Sequence, residues 1–208
     1  PMAFLDWISE RSGPTLQSEG VLLRPPRPVD YEAWAALRSA SQEYLTPFEP
    51  AWPEDDLTRA AFRRRLALYG REMDLGTAWP FFVFEASSGQ LAGAVTLSHI
   101  RRGVSEAGTL GYWTGQPFAG KGYCTAAVRG MVAFAFDTLK LHRVEAACVP
   151  WNVASRRVLE KAGFESEGMA RAYLKINGEW ADHLLFGRVD DRHEGGAAKA
   201  PCGDRSGG

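Results

Sequence analysis

The sequence predicts a single α+β domain of about seven strands and about four helices. Three observations carry that expectation. A length of 208 residues suits one core. Strand-like and helix-like runs alternate along the chain, and three consecutive strand-like runs are joined by short turn signals, as in a meander.

The elements follow in order. Residues Pro1 to Gly20 show no sustained period and are expected as an N-terminal extension of a domain spanning 21–190. Val21 to Arg24 reads as a short strand, and Pro28 suits the first turn of a helix over Tyr31 to Ser39. Tyr44 to Pro53 (YLTPFEPAWP) holds three prolines and three aromatics and is expected as a stiff loop. Asp55 or Asp56 could cap the next helix, which runs to about Tyr69 with Leu57, Ala61 and Leu68 inward and Arg59, Arg63, Arg64 and Arg65 outward. Pro80 to Glu85, Leu91 to Ile100 and Thr109 to Thr114 are the meander strands. Thr125 to Leu139 is too densely apolar for a half-exposed strand and fits a largely buried helix. A strand over Arg143 to Val149 and a helix over Asn152 to Ala162, ended by Gly163, come next. Two last strands, Met169 to Ile176 and Trp180 to Arg188, are joined by Asn177-Gly178, a tight hairpin signal. Residues 191–208 are expected as a flexible tail, because EGGAAKAPCGDRSGG is too small and polar to bury apolar area.

Composition sets the class. With 45% hydrophobic and 24% charged residues the chain falls among soluble globular proteins, and 24 basic against 25 acidic residues leave no global positive field for nucleic acid. Cys124, Cys148 and Cys202 lack ligand spacing and cannot close a disulfide set, which points to a reducing compartment and to no metal site. No stretch approaches the roughly 20 apolar residues of a membrane span, and Met2 to Ile8 lacks the features of a signal peptide. A cytoplasmic protein without a membrane partner is expected.

The informative segment is Gln116 to Thr125 (QPFAGKGYCT), a turn between a predicted strand and the start of a predicted helix. Glycines allow close backbone approach, and free amides at a helix start form an anion site. Amides from Ala119 to Thr125, around Gly120, Lys121 and Gly122, could therefore cradle a pyrophosphate. Lys121 could add a point charge or simply face solvent. The triphosphate pattern G-x-x-x-x-G-K-[ST] fails at its last position, because Gly122 follows Lys121 where Ser or Thr is required. The dinucleotide pattern fails at Thr125.

In element order and in four separated segments the chain resembles the GNAT acetyltransferases, over about Val21 to Val189. Ala119-Gly120-Lys121-Gly122-Tyr123-Cys124 is similar to the family's Q/R-x-x-G-x-G/A, with Ala119 in place of Gln or Arg and Cys124 in place of a small residue. Asn152-x-x-Ser155-x-x-x-Leu159-x-x-x-Gly163-Phe164, LTPFEP at Leu45 to Pro50 and RAYLKINGEWADH at Arg171 to His183 resemble the branch that acetylates the N-terminal residue of ribosomal proteins. The resemblance implies a mixed, mostly antiparallel sheet in an α/β/α arrangement, splayed between the fourth and fifth predicted strands. It implies acetyl-CoA as co-substrate, no metal, and the N-terminus of a ribosomal protein as partner. Chain association as monomer or dimer stays open.

The resemblance also implies roles. Amides of Tyr112, Trp113 and Thr114 would polarise the thioester carbonyl and pair with the pantetheine arm. Asn152 is a helix cap and would face that arm as well, or act as a cap alone. The family's usual acid, a tyrosine, is here Leu159. Ser155 lies four residues earlier on the same helix face and would supply the hydroxyl for the thiolate, with Glu160 turned outward. No covalent intermediate is needed, so Cys124 and Cys148 are expected to be structural. An α-amine has a pKa of roughly 7.7 to 8.0 and needs only a modest base. Glu49 or, through water, Glu106 could provide it. Tyr44, Phe48 and Trp52 would line a peptide channel or pack in the core, and Asp182 and His183 could bond each other at a strand end. Two rival functions remain: an enzyme of the same fold acting on a small-molecule amine (an antibiotic, polyamine or amino acid), or a non-catalytic module that docks on ribosome assembly intermediates.

Overall fold

The computed structural model describes residues 13–193; the remainder of both terminal segments, with Met2 to Ile8 and Cys202, lies outside the described residues. Eight strands form one sheet: β1 (Leu16–Ser18), β2 (Val21–Arg24), β3 (Trp79–Glu85), β4 (Leu91–Arg101), β5 (Ala107–Thr114), β6 (Arg143–Cys148), β7 (Glu165–Ile176) and β8 (Glu179–Val189). Their order is β1-β2-β3-β4-β5-β6-β8-β7, and every neighbouring pair is antiparallel except β5 with β6. Five helices accompany them: α1 (Tyr31–Ala40), α2 (Gln42–Leu45), α3 (Arg59–Asp74), α4 (Tyr123–Ala133) and α5 (Val153–Lys161).

β3 shows why the sheet is central. Its sequence WPFFVFE is apolar on both faces because both are covered: Phe81 and Val83 enter the core beneath α4 and α5, while Phe82 and Phe84 enter the core beneath α1 and α3. Trp34 and Phe62, with ring centroids 4.9 Å apart, join α1 to α3 on that second side. Removing an aromatic as buried as Phe62 would cost about 3–5 kcal/mol. The helical density of Thr125 to Leu139 resolves into α4 and a wider π-type turn over Phe134–Thr138, which keeps Phe134, Ala135 and Phe136 buried.

Several boundaries differ from expectation. β1, three residues inside the expected N-terminal extension, pairs with β2 as an eighth strand, and Ser18 Oγ donates to Ala126 O at 2.8 Å. The expected loop over Tyr44 to Pro53 begins helically, with α2 and a 3-10 turn over Thr46–Phe48. Neither Asp55 nor Asp56 caps α3; Thr58 does, accepting from Ala61 N–H, and the helix continues to Asp74. Leu68, expected inward, is exposed, and Phe62 and Leu66 fill that role. Asp55 and Asp56 instead pair with Arg64 and Arg65.

Candidate active site

The sheet opens where chemistry is expected. β5 and β6 run side by side only from Ala107 opposite Arg143 to Leu110 opposite Ala146. Beyond that, Gly111, Tyr112, Trp113 and Thr114 remain paired with β4, and Ala147 and Cys148 with β8. Gly111 is accordingly exposed although it belongs to a central strand. An opening of this kind leaves backbone hydrogen-bonding groups that an extended ligand can use as an added strand.

Alternation along β5 sends its side chains to two sides of the opening. Tyr112 packs toward α4 and α5, and Trp113 packs toward α1. The Tyr112 hydroxyl lies 2.8 Å from Ser155 Oγ and donates to Ser155 O at 3.3 Å. Ser155 is held in turn by the cap of its own helix, because Asn152 Oδ1 accepts from Ser155 N–H at 3.0 Å. Burial raises the Tyr112 phenol well above its ordinary value, so it stays protonated as a donor. Leu159 is fully buried and Glu160 is exposed, as their helix positions predict.

The glycine loop leads directly from this strand. A 3-10 turn over Gln116–Phe118 is followed by Gly120 at φ +75° and Gly122 at φ +85°, the second forming the N-cap of α4. Both glycines sit in the left-handed region with open space where a Cβ would stand. Amides of Tyr123, Cys124 and Thr125 lie in the first helical turn, outside the helix's own ladder, and the helix dipole adds positive character there. Lys121 Nζ stands 5.2 Å from the Phe118 ring centroid, exposed at the loop's edge. Tyr123 donates its hydroxyl to Glu85, whose pKa is lowered first by Ser88, then by Tyr123 and Lys121. The donor set suits a pyrophosphate: main-chain amides of a helix's first turn follow a two-glycine turn that leaves open space beside the backbone.

On the other side, the last turn of α1 ties three segments together. Leu37 packs against Gly115, where any Cβ would stand 2.3 Å from Leu37 Cδ1. Ser41 Oγ accepts from Gln116 N–H at 2.9 Å. Arg38 donates to both oxygens of Glu49 at 2.8 Å, and its guanidinium lies between the indoles of Trp52 and Trp113, 3.9 and 4.9 Å from their centroids. Trp52 Nε1 donates to the same carboxylate at 2.8 Å. Tyr44, Phe48 and Trp52 are each half-buried. The main-chain oxygen of Glu49 accepts from Asn177 N–H at 2.9 Å, so the LTPFEP segment rests on the tip of the β7–β8 hairpin.

Two expectations need correction. Glu106 stands at the opposite end of β5 from the opening, some 20 Å from Tyr112 by strand rise, paired with Arg102 at 3.0 Å and accepting from Gly103 N–H at 2.8 Å. Asp182 and His183 do not bond each other: Asp182 Oδ1 accepts from Ala172 N–H at 2.8 Å, and His183 Nδ1 contacts Ala181 O at 3.0 Å. Arg38 and the hydroxyl of Tyr112 carried no sequence signal as site groups. Their partners are distant in the chain, and only the fold joins them.

Both described cysteines are free thiols. Burial pushes Cys124 up to about 11, partly offset by its bond to Thr114, and burial also raises Cys148. Neither is poised as a thiolate nucleophile. Among the described residues there is no cluster of side chains able to hold a metal, and no helix long and apolar enough to cross a membrane.

Comparison with known proteins agrees with this geometry. A family model described as "Acetyltransferase (GNAT) domain" matches residues 21–165. The chain is 39% identical over 171 residues to "Probable N-acetyltransferase YjcK" of Bacillus subtilis, covering 82% of this chain and 94% of the relative. It is 32% identical over 158 residues to the [Ribosomal protein uS5]-alanine N-acetyltransferase of Escherichia coli, covering 75% and 81%. Among solved structures, Mycobacterium smegmatis RimJ in complex with CoA-disulfide superposes with a TM-score of 0.80 at 31% identity, over 87% of this chain and 88% of that one. An open mixed sheet, a glycine loop at a helix start and these matches lead to one conclusion: the chain belongs to the GNAT acetyltransferase family, in its RimJ/RimL-like branch.

Proposed function

We propose that the protein transfers an acetyl group from acetyl-CoA to the N-terminal α-amine, alanine first, of a ribosomal protein. The observation that carries this reading is the bond from Asn177 N–H to Glu49 O, which joins the two segments resembling the ribosomal branch into one wall beside the opening. The similarity to the Escherichia coli ribosomal protein uS5-alanine N-acetyltransferase supports the acceptor class.

Acetyl-CoA supplies the acetyl group as an activated thioester. Amides of Ala119 to Thr125, with Lys121 at the edge, hold the pyrophosphate, and the cap residue Asn152 sets Ser155 toward the pantetheine end. Backbone of Tyr112, Trp113 and Thr114 at the opening polarises the carbonyl where charge develops. Ser155 and Tyr112 share a proton that one of them passes to the departing thiolate. With Cys124 and Cys148 held as neutral thiols, attack by the amine is direct.

Glu49 serves as an anchor. Its carboxylate accepts three hydrogen bonds, two from Arg38, and protonating it would leave a buried guanidinium without its partner. It fixes the acceptor wall and leaves proton removal to another group. Intact-mass analysis of ribosomal proteins from a strain lacking the gene tests the acceptor: one protein should lose an acetyl group from its first residue, and an unchanged set of masses would count against the proposal.

A further inference from the structure

We infer that His183 is the catalytic base that takes the proton from the acceptor amine, an assignment that rests on the N-acetyltransferase reading above. β8 pairs with β6 through Leu184 opposite Cys148, the residue at which β6 reaches the opening. Leu184 and Phe186 pack with the core beneath α4 and α5. Alternation therefore turns His183 to the opposite side, toward which Trp113 also projects from β5. This is the side that carries Arg38, Trp52 and the Glu49 wall.

The imidazole is built to accept a proton. It is 3% exposed, and its ring meets Tyr173 edge-on at 5.8 Å. A carbonyl oxygen can only accept, so the contact with Ala181 O at 3.0 Å makes Nδ1 the N–H donor and leaves Nε2 with its lone pair. Nε2 has no hydrogen-bond partner among the described residues. Nor is it sealed: among the described residues, the side-chain polar atom that is both shielded from solvent and unpartnered is Trp79 Nε1. A nearly buried ring with one fixed tautomer and one open acceptor is the form of a general base.

The charged and titratable groups around it are otherwise engaged or turned away. Asp182 is bonded to Ala172 N–H, Cys148 of β6 faces the other core, and Glu49 is held by Arg38. From the β7 bulge come Tyr173, against the ring, and Arg171, which is exposed.

Protons balance as follows. The α-ammonium first loses one proton to water. As the N–C bond forms and the C–S bond breaks, Nε2 accepts a second proton from nitrogen while the Ser155–Tyr112 pair gives one to sulfur. Water then takes the proton from the imidazolium and restores the hydroxyl pair. The sum is one amide, one CoA thiol and one proton released.

The test uses the full-length protein with acetyl-CoA and an alanine-initiated peptide. His183→Asn retains an N–H placed like Nδ1 but offers no proton acceptor. It should lower kcat about 100-fold at neutral pH with KM for acetyl-CoA changed by less than about twofold, and the deficit should shrink as pH rises and the amine is neutral unaided. If the variant fails to fold, the wild type decides with an aminooxyacetyl peptide, whose terminal nitrogen is uncharged across the assay range. An acid limb in its kcat profile then reports the imidazole. An unchanged kcat in His183→Asn, or a flat acid side with the aminooxyacetyl peptide, overturns the assignment. If the wild type ignores alanine peptides, the proposed acceptor is wrong, and the same comparison on spermidine judges the base separately.

Discussion

The hydroxyls of Tyr112 on β5 and Ser155 on α5 meet at 2.8 Å, although 43 positions separate them in the chain. In the proposed mechanism this pair takes the place of the tyrosine acid that Leu159 replaces. Ser155→Ala should lower kcat about tenfold to a hundredfold with little change in KM for acetyl-CoA, as for a group acting in the transition state. Tyr112→Phe should do the same, and the double variant should be no worse than the poorer single one, because the two act as a unit. Additive losses in steady-state kinetics would show separate roles.

The raised phenol of Tyr112 has a consequence for stability. Its folded pKa lies above the unfolded value of about 10, so the folded state binds the extra proton at high pH. Below about pH 10 both states are neutral there and stability is unaffected; above it, stability should fall with pH. Thermal melts of Tyr112→Phe should lose part of that alkaline slope.

The left-handed glycines give a prediction about affinity. A Cβ added at Gly120 or Gly122 meets no atom within 4 Å, so the fold should persist in Gly120→Val and Gly122→Val with local strain of roughly 1–2 kcal/mol for each left-handed side chain. The turn that aims the amides should relax, and calorimetry should show CoA binding weakened about tenfold or more. Unchanged affinity in a folded variant would remove the loop from the site.

Arg38 tests the acceptor wall. Arg38→Met leaves Glu49 in a partly buried setting without its cation and should cost about 3 kcal/mol in denaturant unfolding. Glu49→Gln, which keeps a hydrogen-bonding oxygen, should cost less, raise KM for peptide, and leave the shape of the pH profile as in the wild type. A pH profile that loses its acid limb in Glu49→Gln would restore Glu49 as the base.

Glu106 should be silent in catalysis. Glu106→Gln is expected to leave kcat within about twofold of wild type, since the carboxylate lies at the far end of β5. Arg102 first, then Gly103 N–H, lowers its pKa. Its contribution to stability is therefore present above the ordinary carboxylate range and is lost as pH falls through the lowered value. The variant should be less stable than wild type at neutral pH and converge with it in acid.

Local signals were legible in the sequence where one segment determines its own conformation. The glycine loop, the Asn152 cap and the Asn177-Gly178 hairpin, with Asn177 at φ +44° and Gly178 at φ +87°, all depend on neighbours within a few positions. β1 was not legible, because three residues reading LQS have no period and are strand only through pairing with β2. Glu106 misled for a geometric reason: being next to a strand in sequence places a residue at one end of it, and β5 meets the opening at the other. The ion pair of Arg38 with Glu49 and the outlook of His183 depend on how the acceptor wall, β5 and β8 face one another. That relationship exists only in the folded sheet.

N-terminal acetylation is decided by competition among three acceptors under one set of conditions: a peptide beginning with alanine, the same peptide N-blocked and carrying lysine, and spermidine. With acetyl-CoA and the purified protein, free CoA should be released and the acetyl group found on the α-amine of the alanine peptide, at a kcat/KM at least about tenfold above the other two. Preference for the blocked lysine peptide or for spermidine would contradict N-terminal acetylation, and no CoA release with any of the three would contradict the proposed transfer.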